Sequence, residues 1–202
     1  DKLEQQITAE NRFLKQQINP HFLFNTLNNT YAQSMLHPSE AGATLRQLKT
    51  MLYYMLYECE QDFVSLKDEI DFVESYTTLE KIRNKSSDLN VRFQVKGTID
   101  NQSIAPLLLI NFIENAFKHG VKSNIDSAFV HISIDVNGND LRLIVFNSKP
   151  HEKDTQVASM TDGGIGIENV RKRLSLLYPD RYQLELDTQV NSFSVALNLQ
   201  LY

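Results

Sequence analysis

The chain has 202 residues, room for one large or two small domains, and carries a net charge of −5 from 20 basic and 25 acidic side chains. That balance gives no basic footprint for nucleic acid, and the sparse glycine and proline (7 and 5 residues) point to a globular rather than a disordered chain. One cysteine, Cys59, excludes an internal disulfide framework and fits a reducing compartment, and no apolar run approaches the ~20 residues that span a bilayer.

Residues 1–36 read as one long helix, with Leu3, Ile7, Leu14 and Ile18 at helical spacings. It opens at Asp1 without a methionine, so the chain is expected to be the end of something longer. The stretch Leu14–Asn29, LKQQINPHFLFNTLNN, puts Pro20 inside this helix. An interior proline removes a backbone hydrogen bond and clashes with an upstream carbonyl, at a cost of about 3 kcal/mol. His21 follows directly. Gln17, His21 and Asn25 are spaced by four and Asn28 follows at three, so they share one face. Leu23, Leu27 and Tyr31 form a separate apolar row, with Ile18 and Phe22 beside it. A kink beside an imidazole suggests a histidine that something must reach; the plain alternative is a satisfied surface histidine.

After a break at His37-Pro38-Ser39-Glu40, residues 39–59 read as a second helix, with Leu45, Leu48, Leu52, Met55 and Leu56 on its apolar side. Residues 65–84 read as a third, lined by Leu66, Ile70, Val73, Tyr76, Thr77 and Leu79, with the opposite side charged. These faces have few partners within one chain, which favours a dimeric bundle. Past Ser86-Ser87-Asp88 the pattern changes. Val91–Val95 alternates as a strand, and Ile104–His119 reads as a helix. Val130–Val136 and Leu141–Phe146 read as a hairpin around Asn137-Gly138-Asn139-Asp140. Glu168–Tyr178 is a further helix, and Leu184–Leu186 and Phe193–Leu199 are closing strands. The expected class is α+β: a helical domain over residues 1–87, then an α/β sandwich over 88–202 with a mixed sheet and helices on one face.

Two stretches of the second domain suit phosphate chemistry. Asn111, Asn115 and Lys118 lie at i, i+4 and i+7 on one helical face. Two amides and an ammonium on one stripe suit phosphate oxygens and a hard cation; magnesium takes oxygen ligands and keeps several waters. A solvated polar face is the plain alternative. Gly163, Gly164 and Gly166 stand just before the helix expected from Glu168. Glycines let backbone amides approach a phosphate, and a helix N-terminus carries unpaired N–H groups. Between them, Ser148–Asp162 is polar and irregular and reads either as a nucleotide lid or as an ordinary loop.

The run Asn19-Pro20-His21-Phe22-Leu23-Phe24-Asn25, with Leu27 and Asn28, closely resembles the phosphoacceptor box of the LytS-type sensor histidine kinases. The resemblance implies that His21 is the phosphorylated histidine. Asn111 to His119 resembles the N box of the GHKL ATPase superfamily, and G-I-G-I-x-N-x-x-x-R-L from Gly164 resembles its second glycine box. By that likeness Asn115 is the magnesium ligand and Asn111, Lys118 and His119 line the phosphates. His119 could equally cap its helix end, where a cation is favoured. Gly163, Gly164, Gly166 and Asn169 belong to the glycine box. Glu114 could polarise a water, although the family assigns phosphotransfer to this arm. The resemblance implies a GHKL-type catalytic domain using ATP and Mg²⁺, and a homodimer through the helical domain. It implies phosphoryl transfer to an aspartate of a response regulator with a LytTR-type output. It also implies a bacterial inner-membrane sensor, anchored outside this sequence, of which this is the cytoplasmic portion.

Departures from the pattern are specific. Asn147 stands where the superfamily has the adenine-reading aspartate of D-x-G-x-G, and the glycine after it is missing. An amide oxygen can still accept from the adenine amino group, without the charge assistance that makes such bonds about twice as strong. Asn191-Ser192-Phe193 stands in place of the usual Gly-Thr, and Leu52-Tyr53-Tyr54 in place of Leu-Arg-Tyr. Tyr76, Glu80 and Arg83 keep the pattern Y-x-x-x-E-x-x-R, but Asn84 replaces an aromatic. Phe22, not an acid, follows His21, which leaves Asn25 as the candidate to hold the ring. The rival reading is a dimeric interaction module with a degenerate nucleotide pocket. A third, a GHKL ATPase without phosphohistidine, leaves the His21 box unexplained.

Overall fold

The computed structural model describes residues 20–36, 38–84, 89–121, 128–149 and 164–202. Two compact units divide the chain. The first runs to Arg83 and also contains Ala105–Leu107; the second comprises Asn84–Ile104 and Leu108–Tyr202.

The first unit is helical: α1 (Pro20–Leu36), α2 (Pro38–Tyr57) followed by a 3₁₀ turn over Glu58–Glu60, and α3 (Leu66–Arg83). Pro38 opens α2, where its missing N–H costs nothing. At the start of α3 the Ser65 hydroxyl accepts the Asp68 N–H at 3.3 Å. Asp68 and Glu69 in the first turn of α3, and Lys81 and Arg83 in its last, complement the helix dipole. Leu48, Met51, Tyr54 and Met55 of α2 are buried, as are Leu66, Ile70, Phe72, Val73 and Leu79 of α3. The Tyr54 and Phe72 rings stack with centroids 4.8 Å apart.

The apolar rows do not all face this core. Among the described side chains of α1 the buried ones are Thr26 and Thr30, whose hydroxyl back-bonds to Thr26 O at 2.7 Å. Leu27, Tyr31 and Met35, one helical turn apart in succession, are 53, 70 and 72% exposed. Leu45 and Leu56 of α2, expected on its buried side, are also exposed, and Met51 takes the core position instead. The polar side of α3 departs from expectation in the other direction: Glu69 and Glu80 are fully buried. Glu80 is paired with Arg83 at 2.7 Å, which accounts for two of the three residues in the Tyr76-Glu80-Arg83 pattern.

The second unit is a five-stranded mixed sheet with two helices. Its strands are β1 (Asn90–Gly97), β2 (Phe129–Asn137), β3 (Asp140–Ser148), β4 (Tyr182–Thr188) and β5 (Ser192–Gln200). Spatial order is β1-β2-β3-β5-β4; β1 and β2 run parallel and every other neighbour is antiparallel. The helices are α4 (Ile110–Gly120) and α5 (Gly164–Leu177). Alternate side chains of β2, β3 and β5 form the core: Val130, Ile132, Ile134 and Val136; Leu141, Leu143 and Val145; Val195, Leu197 and Leu199. Strand alternation puts all of these on one face. The other face carries Phe129, His131 and Phe146, with Phe129 centred 5.1 Å from the imidazole and 4.8 Å from Phe146.

The expected hairpin forms β2 and β3. Asn137 pairs with Asp140 across a two-residue loop in which Gly138 has φ +58°, the left-handed conformation such loops need. Gln102 Nε2 donates to Gly138 O at 2.8 Å, and Leu201 N–H donates to Asn139 O at 2.7 Å.

Two helix starts move. Periodicity begins a helix at Ile104, but α4 starts at Ile110. Ser103–Ile104 are extended, Pro106 disfavours helical geometry at Ala105, and Leu107 is left-handed at φ +57°. These residues, assigned to the sandwich by sequence, belong to the helical unit from Ala105 to Leu107. The last helix begins at Gly164 rather than Glu168.

Candidate functional site

The site is built on α4. Phe112, Ile113, Ala116 and Phe117 are buried and fix which way the helix faces. On the adjacent stripe Asn111 and Asn115 are half-buried and Lys118 is exposed, so the three predicted residues share one side. His119 is half-buried in the last turn beside Lys118, and basic side chains suit the helix C-terminus. Desolvation pushes the Glu114 carboxyl above the usual carboxylate range, and the Lys118 ammonium partly offsets that.

The glycine box meets this stripe. A β-carbon added at Gly166 would lie 3.4 Å from Asn115 Nδ2 and 3.8 Å from its Oδ1. Gly164 and Gly166 stand inside the first turn of α5 rather than ahead of it. The correction leaves their chemistry intact, because the first four helical N–H groups have no partner within the helix and are the anion-binding ones. Val170, Arg173 and Leu174 anchor α5 in the core, while Asn169 is exposed. The Glu168–Lys172 pair at 3.2 Å is solvent-exposed and contributes little. Gly163 and the lid stretch from residue 150 to Asp162 lie outside the described residues.

The C-terminal end of α4 meets β3. A β-carbon at Gly120 would lie 2.9 Å from Asn147 Cβ and 3.1 Å from Asn147 Nδ2, closer than real side chains approach. Ser148 Oγ donates to Gly120 O at 2.8 Å and accepts the Phe129 N–H at 3.0 Å, tying helix end and two strands together. Asn147 is buried, and its Nδ2 donates to Ser148 O at 2.8 Å. The acceptor that an adenine amino group needs lies on its Oδ1. Gly120 and Ser148 escape the sequence reading as site residues. The only signal for them is their adjacency to His119 and Asn147.

His21 lies in α1, and its side chain is outside the described residues. Asn25, one turn on, is half-buried. Among the described residues no group of three or more His, Cys, Asp or Glu side chains converges as a metal cluster. A single carboxamide oxygen at Asn115, with glycine opposite, fits a magnesium ion that takes its remaining ligands from phosphate and water.

A family model described as histidine kinase matches residues 9–87. The sensor histidine kinase BtsS of Escherichia coli K12 is 31% identical over 186 residues, 92% of this chain and 32% of that protein. The sensor protein LytS of Staphylococcus saprophyticus is 28% identical over 207 residues, 95% of this chain and 34% of that protein. This chain thus spans about a third of the length of the curated relatives it matches. The histidine kinase domain of the blue-light activated kinase EL346 of Erythrobacter litoralis superposes with a TM-score of 0.51 at 15% identity, covering 96% of this chain and 95% of that one. That likeness is one of fold: a helical region followed by a mixed sheet with flanking helices. Among the described residues no helix is long and apolar enough to cross a membrane. The family match over residues 9–87, the relatives along nearly the whole chain and the shared fold make this chain similar to the histidine kinases.

Proposed function

We propose that this chain is the catalytic core of a LytS-type sensor histidine kinase, which autophosphorylates His21 from ATP and passes the phosphoryl group to an aspartate of a response regulator. The observation that carries this reading is the meeting of Asn115 with Gly166, two positions that sequence alone assigns to one nucleotide site from opposite sides. Asn111, Asn115, Lys118 and His119 hold the phosphates together with the first-turn amides of α5, including those of Gly164 and Gly166. Gly163 and Asn169 border that cradle, and Asn147 reads the adenine. Asn115 would hold a magnesium ion, which would supply neutralisation of phosphate charge. A ring nitrogen of His21 attacks the γ-phosphorus in line; the N–P bond forms as the bond to the ADP oxygen breaks. The protein supplies positioning and electrostatics, as phosphoryl transfer requires. Asn25 orients the imidazole through its other nitrogen.

The exposed row Leu27, Tyr31 and Met35 is the surface on which a second copy docks to make the homodimer. The regulator carries a LytTR-type output, and the whole protein is a bacterial inner-membrane sensor with these residues on the cytoplasmic side. The domains divide near residues 87 and 88.

One observation favours the rival interaction module: Asn147, not an acid, occupies the adenine position and its amide is bound to Ser148 O. Incubation with γ-labelled ATP and Mg²⁺ separates the two. Acid-labile label that vanishes in His21→Ala, with nucleotide affinity intact, is expected of the kinase. Neither label nor binding would establish the module. Binding without label would identify a GHKL ATPase or a core that needs an activator.

A further inference from the structure

A carboxamide has two unlike ends, and only one end of Asn147 can meet a base. The oxygen accepts and the nitrogen donates. Asn147 Nδ2 donates to Ser148 O at 2.8 Å. A carbonyl oxygen only accepts, so a reversed amide would set two acceptors against each other at that distance. Asn147 Oδ1 accepts no hydrogen bond among the described residues and is the end left for a ligand.

This arrangement needs a strand carbonyl that the strand itself does not use. Lys149 N–H donates to Asn191 O at 2.8 Å, on the β5 side. The Ser148 carbonyl belongs to the same trans peptide and so points the opposite way, toward β2. There the donor next along from the pair Val130 and Asn147 is the Phe129 N–H. The Ser148 hydroxyl takes that donor instead, at 3.0 Å, and donates its own hydrogen to Gly120 O at 2.8 Å. One side-chain oxygen thus satisfies the strand end and frees the backbone oxygen for Asn147. Gly120 completes the fit, since a β-carbon there would strike the Asn147 side chain.

We propose that Ser148 is a positioning residue: it fixes which end of the Asn147 amide meets the base, and so makes the site prefer a 6-amino purine to a 6-oxo purine. The inference rests on the assignment of the base to Asn147. The presented oxygen accepts from an amino group, but it meets the 6-oxygen of guanine as a second acceptor and leaves both unpaired. Without the Ser148 hydroxyl, the Phe129 N–H competes for the Ser148 carbonyl. The released amide then turns its nitrogen to an oxo group as readily as its oxygen to an amino group.

The test is titration of ATP and of GTP, each with Mg²⁺, against the full chain, read as the ratio of the two affinities. Wild type is expected to prefer ATP by about tenfold or more. Ser148→Ala is expected to bring that ratio down to about twofold. Ser148→Thr keeps the hydroxyl and should hold the ratio within about twofold of wild type. Asn147→Asp added to Ser148→Ala gives an acceptor at both ends of the side chain, so the preference for ATP should return. Should Ser148→Ala fail to fold, Ser148→Cys, whose thiol is a weak donor and acceptor, carries the same ratio. Loss of both affinities in step, with the ratio unmoved, would make Ser148 merely structural and overturns the proposal; so does a wild-type chain that binds both nucleotides equally. A wild-type chain that binds neither overturns the nucleotide-site assignment instead.

Discussion

The two units treat their apolar residues differently. In the sandwich, the inward positions of β2 and β3 from Val130 to Val145 are 0–4% exposed, so this unit finishes its core within one chain. In the helical unit, Leu27, Tyr31 and Met35 stand 53–72% exposed along one line of α1. The buried side chains described on α1 are threonines, Thr26 and Thr30. One unit closes its core; the other leaves this apolar row uncovered. The contrast separates the proposed labour: the closed unit holds nucleotide with preformed geometry, and the open one presents the phosphoacceptor helix to a second copy.

The largest expected effect tests the open unit. Tyr31→Glu with Met35→Glu should convert the dimer to monomer by light scattering while nucleotide affinity stays at the wild-type value. A dimer that survives both charges would place the interface elsewhere. In the closed unit, Asn115→Ala should abolish magnesium-dependent nucleotide binding, read by titration with and without Mg²⁺; unchanged affinity would remove Asn115 as the metal ligand. Gly120→Ala sharpens the comparison. Helix propensity alone favours alanine by about 1 kcal/mol. The contact with Asn147 Cβ should reverse that through overpacking, which typically costs about 1–3 kcal/mol, and lower stability in urea melts. A stabilised variant would show that α4 and β3 do not meet so closely.

Asn147→Asp should tighten ATP binding by up to about tenfold, through a charge-assisted bond adding about 1 kcal/mol net. The free chain should lose stability by a similar amount, because aspartate cannot donate to Ser148 O. Equal affinities would mean that adenine is read elsewhere. The smallest effect lies on the open face of the sheet. Desolvation, and then Arg92, hold the His131 pKa below the ordinary imidazole value. The unfolded chain therefore takes up its proton first, so stability is full above the unfolded pKa and falls as pH drops through it toward the folded one. Thermal melts between pH 7.5 and 5.5 should show that slope, and His131→Phe should flatten it.

Much of the sandwich was legible because its signals are local. The Asn137-Gly138-Asn139-Asp140 turn and the alternation on either side are properties of neighbouring residues. The stripe of Asn111, Asn115 and Lys118 follows from helical spacing once the helix is identified. What was hidden depends on partners distant in sequence. Ile104–Ile110 is an apolar run that suits a helix as well as it suits an extended segment, and only the turn at Leu107 decides. Glu69 reads as one more charge on a solvated face, because its partners Tyr54 and Leu107 are 15 and 38 residues away. Leu27 and Tyr31 read as an apolar row that the helix would bury, but both are exposed, because helical spacing shows that residues share a face and not what covers it.

The glycine turn between β2 and β3 has a consequence for heredity as much as for geometry. Counting along β3 from that turn, odd and even positions take opposite sides, so Asn147 faces α4 only because the count from Asp140 has the right parity. Phe146, its neighbour, faces away and is 38% exposed. Adding or removing one codon in β3 between the loop and Phe146 would exchange the two: an aromatic ring would enter the place of the amide, and the amide would turn to solvent. The placement of Asn147, and with it the adenine contact proposed for it, thus depends on strand parity as well as on the residue itself. Loop-length changes in β3 should be rarer among functional descendants of this chain than its tolerant, exposed side chains suggest.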